Sequence, residues 1–272
     1  MANLKLCAYF RSAIVVFILF GFLLAGCEKK GSVIRQNFDV FTIEEQINIG
    51  NTMKQQIESM QDVYPIMNKL TNKCAYDRLD VIFNTLLNTS VVNNRKEFDW
   101  GLYIIDNDQI KNAFTLPGGH IYIYSVLIKF LKTESQLVAV LGNEIAYADD
   151  EYTLNTLREE HGNLTLGDLS LGNPVSNLSD ILIDLPYIQY DDSFVSKADS
   201  VSISLICPFQ YDASSLQAFL ESASASNIEW VFSKKGGDIN NRIQKIESLT
   251  GNCGEDEGTF EERYQNFLSD CF

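Results

Sequence analysis

Histidine and cysteine are the side chains of this chain best suited to metal or nucleophilic chemistry, and their spacing supports neither. There are two histidines. His120 opens the apolar stretch His120-Ile121-Tyr122-Ile123-Tyr124 and reads as a strand residue; His161 follows Glu159-Glu160 in a polar stretch and reads as solvated. Of six cysteines, no two stand in a C-x-x-C pair, so a cysteine metal or redox site has no support. Cys207 precedes Pro208 with no histidine near it in sequence, which leaves a thiolate without the base it would need. The acidic runs Asp149-Asp150-Glu151 and Gly254-Glu255-Asp256-Glu257 read as solvated faces, because neither alternates its oxygen ligands as a calcium loop does.

Charge narrows the partners. The 272 residues carry 21 Lys and Arg against 36 Asp and Glu, a formal net charge of −15. Such a chain repels polyanions, which excludes nucleic acid as a partner and disfavours a basic membrane-surface patch. Apolar residues reach 46%, enough for a real core. Lys5 and Arg11 precede the uncharged run Ala13 to Gly26, which is shorter than the roughly 20 residues of a spanning helix and has signal-peptide length. It ends in Leu24-Ala25-Gly26-Cys27, which resembles the lipobox of bacterial lipoproteins. Cys27 is thus the expected lipidation site, and acyl chains at about 0.8 kcal/mol per methylene would anchor the mature chain to a bilayer. Glu28 follows rather than Asp, so by resemblance to enteric lipoproteins the outer membrane is expected over the inner, in a bacterial envelope facing the periplasm. Cys74, Cys207, Cys253 and Cys271 remain for disulfides in an oxidising compartment, with Cys253–Cys271 the favoured pair.

The elements read as α+β, mostly helical. Thr42-Ile43-Glu44-Glu45 is a capping box opening one helix, and Asp77 to Leu87 is an amphipathic second. Trp100 to Ile105 and His120 to Tyr124 read as strands, with a tight turn at Pro117-Gly118-Gly119 before the latter. Thr133-Glu134-Ser135-Gln136 opens a helix through Ala148. Leu164 to Ser179 reads as a mobile loop; helices follow over Ser193 to Leu205, Ala213 to Ala225 behind Asp212, and Asn240 to Leu249. The expected divisions are a signal peptide over 1–26, lipidated cysteine and tether over 27–40, one domain over 41–250 and an acidic tail over 251–272.

Several motifs then fall in order: Asn112-Ala113-Phe114, Pro117-Gly118-Gly119 and Ile121; Leu137, Val140-Leu141 and Glu144-Ile145-Ala146; Lys197-Ala198-Asp199-Ser200; Tyr211-Asp212-Ala213; and Arg242-Ile243. Together they resemble the gluzincin zinc-metallopeptidase family, which includes the CAAX prenyl proteases and the HtpX-like and periplasmic BepA-like peptidases. The resemblance implies a zincin-like fold with a small sheet packed on the active-site helix. It also implies an H-E-x-x-H helix whose two imidazoles hold zinc around a general-base glutamate. Here that helix reads Asn143-Glu144-Ile145-Ala146-Tyr147, Lys197 stands where the third ligand is expected, and Lys235-Gly236-Gly237 replaces a His-Pro pair.

An amide, a phenol and an ammonium are poor zinc donors, so no cofactor is expected where the family has zinc. Glu144 is then a relic general base, inactive without metal-bound water, and Lys197 is expected to pair with it. Tyr147 is expected to pack, its hydroxyl bonded to Asn143 or a backbone carbonyl. Asn112, Ala113 and Phe114 match the family's substrate strand, which could add a polypeptide by β-augmentation. The expected function is a zinc-free pseudopeptidase of the envelope, bound to the membrane through Cys27, that binds or chaperones extended or unfolded polypeptides. The alternatives are a metalloendopeptidase using non-standard ligands, such as His120, His161 and acidic groups, or a purely structural lipoprotein.

Overall fold

In the computed structural model the described residues are 41–226, 232, 235–236, 238–250, 253 and 258–272. The expected leader, Cys27 and its tether lie outside the described residues, as does Gly237. Helix α1 (Ile43–Ser59) begins as its sequence dictates: the Thr42 hydroxyl accepts the Glu45 N–H at 3.2 Å, and the Glu45 carboxylate takes the Thr42 N–H at 2.9 Å. Helix α2 (Lys73–Leu87) starts earlier than the apolar stripe indicates, in a turn held by the Lys73–Asp77 ion pair.

Three strands form the sheet: β1 (Gly101–Ile105), β2 (Ala113–Leu116) and β3 (His120–Tyr124), in the order β1-β3-β2. β3 runs parallel to β1, with Tyr103 opposite Tyr122, and antiparallel to β2, with Phe114 opposite Tyr122. Every residue of β2 and β3 is buried, although β2 is an edge strand. After α3 (Ser125–Phe130), helix α4 (Glu134–Asp149) is buried along its whole length, packing on β2 and β3 and against the helices that follow. Thr133 caps it through the Gln136 N–H at 3.1 Å, but the Gln136 side chain reaches Lys132 N–H rather than Thr133, so the capping box is incomplete.

Helix α5 (Tyr152–Ser170) breaks at Gly162, whose φ of 82° only glycine holds without strain. The loop expected over Leu164 to Ser179 is therefore mostly helix: Leu164 to Ser170 ends α5, and α6 (Leu178–Asp184) follows. Its glycines and serines masked Leu166 and Leu169, which are buried, and the Leu169 carbonyl accepts the Thr52 hydroxyl of α1 at 3.1 Å. A 3₁₀ turn (Leu185–Tyr187) leads to α7 (Asp192–Ile206), then α8 (Ser215–Ala225), α9 (Ile239–Thr250) and α10 (Glu261–Cys271). Thus the α+β, mostly helical class with a small sheet against the central helix holds.

Helix α10 lies within the segment expected as an acidic tail. It docks because Tyr264 and Phe267 are buried, and because Arg263 and Arg78 both bind the buried Glu134 at the start of α4, with the Tyr211 hydroxyl donating to the same carboxylate at 2.7 Å. The expected Cys253–Cys271 disulfide is corrected to Cys74–Cys271 and Cys207–Cys253. The reason is this docking, which carries Cys271 to the start of α2 and leaves Cys253 beside the end of α7.

His120 is buried at the start of β3, its Nε2 2.9 Å from Asn51 Oδ1 and its Nδ1 without a partner among the described residues. Burial, then the Lys54 ammonium, lowers its pKa from 6.5 to about 4, against weaker upward pulls from Asp99 and Glu58. A depressed histidine favours the neutral ring in the fold, so its full stability is present above pH 6.5 and is lost as pH falls toward 4. The melting temperature, followed by circular dichroism from pH 7 to 4, is expected to fall less steeply in His120→Gln than in the parent. Equal slopes would show that His120 does not carry the dependence.

Candidate functional site

Helix α4 presents Asn143, Glu144 and Tyr147 toward one buried region, each fully enclosed. Helix α7 faces it with Val195, Ala198, Asp199 and Ser202, one stripe at helical spacing, and the Ser202 hydroxyl donates to the Ala139 carbonyl at 2.7 Å. This phase puts Asp199 against Asn143, whose Nδ2 donates to Asp199 Oδ1 at 2.8 Å. Helix α9 adds Arg242, whose Nε and Nη2 grip both Asp199 oxygens at 2.9 and 2.7 Å. A bidentate pair of this kind is the strongest way to hold a buried carboxylate.

The charge on Glu144 is met by Lys235, from the segment between α8 and α9. Its Nζ lies 2.5 Å from Glu144 Oε1, and both side chains are at most 1% exposed. Three rings surround the ammonium, with centroids at 4.9 Å for Tyr147, 5.1 Å for Phe232 and 5.7 Å for Tyr190. Tyr147 stacks on Tyr190 at 4.1 Å, and the Tyr190 N–H donates to the Lys235 carbonyl at 2.7 Å. Gly236 is required next to it, since a Cβ there would lie 2.4 Å from Val195 Cγ2.

Burial pushes the Glu144 carboxyl up and the Lys235 ammonium down, and each is pulled back by the other. Burial also pushes the Tyr147 phenol well above its ordinary value, which keeps it neutral.

Two expectations are corrected. Lys197 does not pair with Glu144: it lies outside the buried stripe of α7 and is exposed, in a groove with Ser193, Ser196, Ser200 and Lys245. The Tyr147 hydroxyl, expected to bond Asn143 or a carbonyl, has no partner among the described residues, because stacking on Tyr190 fixes the ring. Asn143 Oδ1 and Glu144 Oε2 are likewise buried without partners among the described residues. Asn112, Ala113 and Phe114 lie at or on the edge strand β2 but are fully buried, and Asn112 Nδ2 donates to the Pro186 carbonyl. His120 and His161 lie outside the cluster, one against Asn51 and the other beside Glu160.

Zinc does not fit these residues. The Asn143 amide turns its nitrogen to Asp199, the Tyr147 phenol is held neutral, and an ammonium already neutralises Glu144. Among the described residues no three His, Cys, Asp or Glu side chains converge to hold a metal. A cavity bordered by Asp199, Arg242, Gly236 and Val195 measures about 10 Å³, room for one water and not for a peptide bond.

Comparison with known proteins agrees with the scaffold. Residues 76–166 match peptidase family M48, a span that runs from α2 through the sheet and α4 into α5. Over that span the chain is similar to the gluzincin, M48-type metallopeptidases. It is 30% identical over 148 residues to the beta-barrel assembly-enhancing protease of Yersinia pestis, covering 53% of this chain and 29% of the relative. To the protein of that name in Escherichia coli O157:H7 it is 24% identical over 132 residues, 44% of this chain and 27% of the relative. To mitochondrial metalloendopeptidase OMA1 of Schizosaccharomyces pombe it is 36% identical over 56 residues, 21% of this chain and 16% of the relative. The chain thus spans less than a third of the length of these relatives.

Asp199, Lys235 and Arg242 complete the cluster and all lie beyond the matched span. Asp199 and Lys235 both stand in motifs named above, Lys197-Ala198-Asp199-Ser200 and Lys235-Gly236-Gly237. Only the helical phase of Val195, Ala198, Asp199 and Ser202 signalled that Asp199 faces inward, and nothing local signalled that Lys235 meets Glu144.

A buried charge pair is expected to resist removal of one member more than of both. Lys235→Met should lower stability by about 3–5 kcal/mol in urea unfolding, by stranding the Glu144 carboxylate. Glu144→Gln combined with Lys235→Met should recover most of that loss. A double variant as weak as the single would show that packing, and not charge, is what Lys235 supplies.

Proposed function

We propose that the protein is a lipid-anchored envelope lipoprotein in which a metallopeptidase scaffold works without zinc, binding or chaperoning extended envelope polypeptides. The observation that carries this reading is the Lys235 ammonium on Glu144 between the two replaced ligand positions, Asn143 and Tyr147. An ammonium supplies the positive charge that a glutamate there requires, but it supplies no Lewis acid and no activated water. Glu144 is then a structural carboxylate, in keeping with its full burial.

The anchor is supported by the lipobox-like Leu24-Ala25-Gly26-Cys27, and the envelope, outer membrane over inner, by Glu28 and by the beta-barrel assembly-enhancing proteases that the chain resembles. Polypeptide is the favoured ligand because β2 is an edge strand beside the cluster. A second reading, a metallopeptidase with non-standard ligands, draws on three oxygens without a partner among the described residues, Asn143 Oδ1, Glu144 Oε2 and Tyr147 Oη.

Metal content separates the two. The full chain, purified in detergent after zinc supplementation, is expected to contain near-zero zinc by elemental mass spectrometry and to leave unfolded casein uncleaved. One zinc per chain, lost in Glu144→Gln or His120→Gln, would overturn the zinc-free reading.

A further inference from the structure

The outer edge of β2 carries polar groups that its covering does not satisfy. The Tyr124 N–H donates to the Asn112 carbonyl at 3.1 Å, which fixes the alternation of the antiparallel pair. Asn112, Phe114 and Leu116 therefore bond to β3, and Ala113 and Thr115 turn their N–H and C=O groups outward. Among the described residues no hydrogen bond meets these four groups, yet both residues are fully buried. Beside them Asn112 Oδ1 is also buried and unpartnered among the described residues. Native interiors rarely leave backbone groups in this condition, since each unmade bond is costly.

Part of the cover is the segment Leu185–Tyr190, whose 3₁₀ turn packs on β2, as do α1, α4 and α5. Its chemistry prevents it from acting as a fourth strand. Pro186 has no N–H to donate, and its carbonyl is taken by Asn112 Nδ2. The Ile188 N–H bonds back to the Leu185 carbonyl, and the Tyr190 N–H goes to the Lys235 carbonyl. Tyr187 is half exposed and Gln189 is exposed, so the outer face of the segment is wet.

We infer that Leu185–Tyr190 is a displaceable strap over the edge of β2. When it lifts, an extended polypeptide takes its place and pairs with the groups of Ala113 and Thr115 that the strap leaves unmet. The exchange is favoured because an incoming strand offers alternating donors and acceptors, whereas among the described residues the strap makes no hydrogen bond to Ala113 or Thr115. This inference rests on the polypeptide-binding reading. The strap is fastened at one end by Asn112 and at the other by Tyr190, whose N–H meets the Lys235 carbonyl, whose ring stacks on Tyr147 and whose hydroxyl meets Thr153 at 3.0 Å.

Amide hydrogen exchange on the full chain in detergent tests the strap without any ligand. Asn112→Ala should speed exchange at Ala113 and Thr115 about fivefold, the effect of one net hydrogen bond, with Ile121 and Ile123 of β3 unchanged as a check on folding. The wild-type chain gives a second measurement, with a fluorescein-labelled nine-residue peptide alternating threonine and valine. Binding should protect Ala113 and Thr115 and speed exchange at Ile188 and Gln189, and a peptide N-methylated at alternate amides should not bind. Binding that leaves Ile188 and Gln189 unaltered, or an Asn112→Ala protein that folds but exchanges like the parent, overturns the strap. Faster exchange in Asn112→Ala with no peptide binding keeps the strap and overturns polypeptide capture instead.

Discussion

A carboxylate sealed inside a helix that is buried from end to end must have a positive partner, and much of this structure is the means of bringing one to Glu144. The partner is Lys235, far along the chain, and its arrival places demands on every element it passes. The chain after it must be glycine to clear Val195, and the ammonium must be lined with rings to replace lost hydration. The pair adds little net stability of its own, because both groups are pushed toward their neutral forms by burial. What it provides is a fixed position for Lys235 against α4.

Asp199 is the second fixed point. Its two oxygens gather Asn143 from α4 and Arg242 from α9, so three helices meet at one carboxylate. The Cys207–Cys253 disulfide closes a 46-residue separation that contains both Lys235 and Arg242. Cross-linking the end of α7 near the end of α9 limits how far these cations can stray in the unfolded chain, which raises the stability of the cluster they form.

Much of this was readable from sequence, for identifiable reasons. The Thr42 capping box, the Pro117-Gly118-Gly119 turn, strand His120 to Tyr124 and the buried helix after Thr133 depend on local patterns, and all were found. What was missed depends on distant contacts. Leu164 to Ser170 looks like a loop because glycine and asparagine dilute its apolar stripe, and only packing on α1 reveals it as helix. Helix α10 is too acidic to read as docked until Arg78 and Arg263 are seen to share Glu134. The positions Asn143, Glu144 and Tyr147 were legible because they share one helix. The counter-charge was assigned to Lys197, the near lysine in the motif, although the phase of α7 turns that residue to solvent.

The buried Lys235–Glu144 pair also bears on the routes by which such a protein can change. A histidine introduced at 143 or at 147 would still face an ammonium, so neither mutation alone creates a place for a dication. Loss of Lys235 alone leaves Glu144 uncompensated, and a chain of ordinary marginal stability has little room for that loss. Single substitutions at these positions thus either leave the ammonium in place or strand the carboxylate. The interior charge pair makes the present arrangement one that single substitutions do not readily leave.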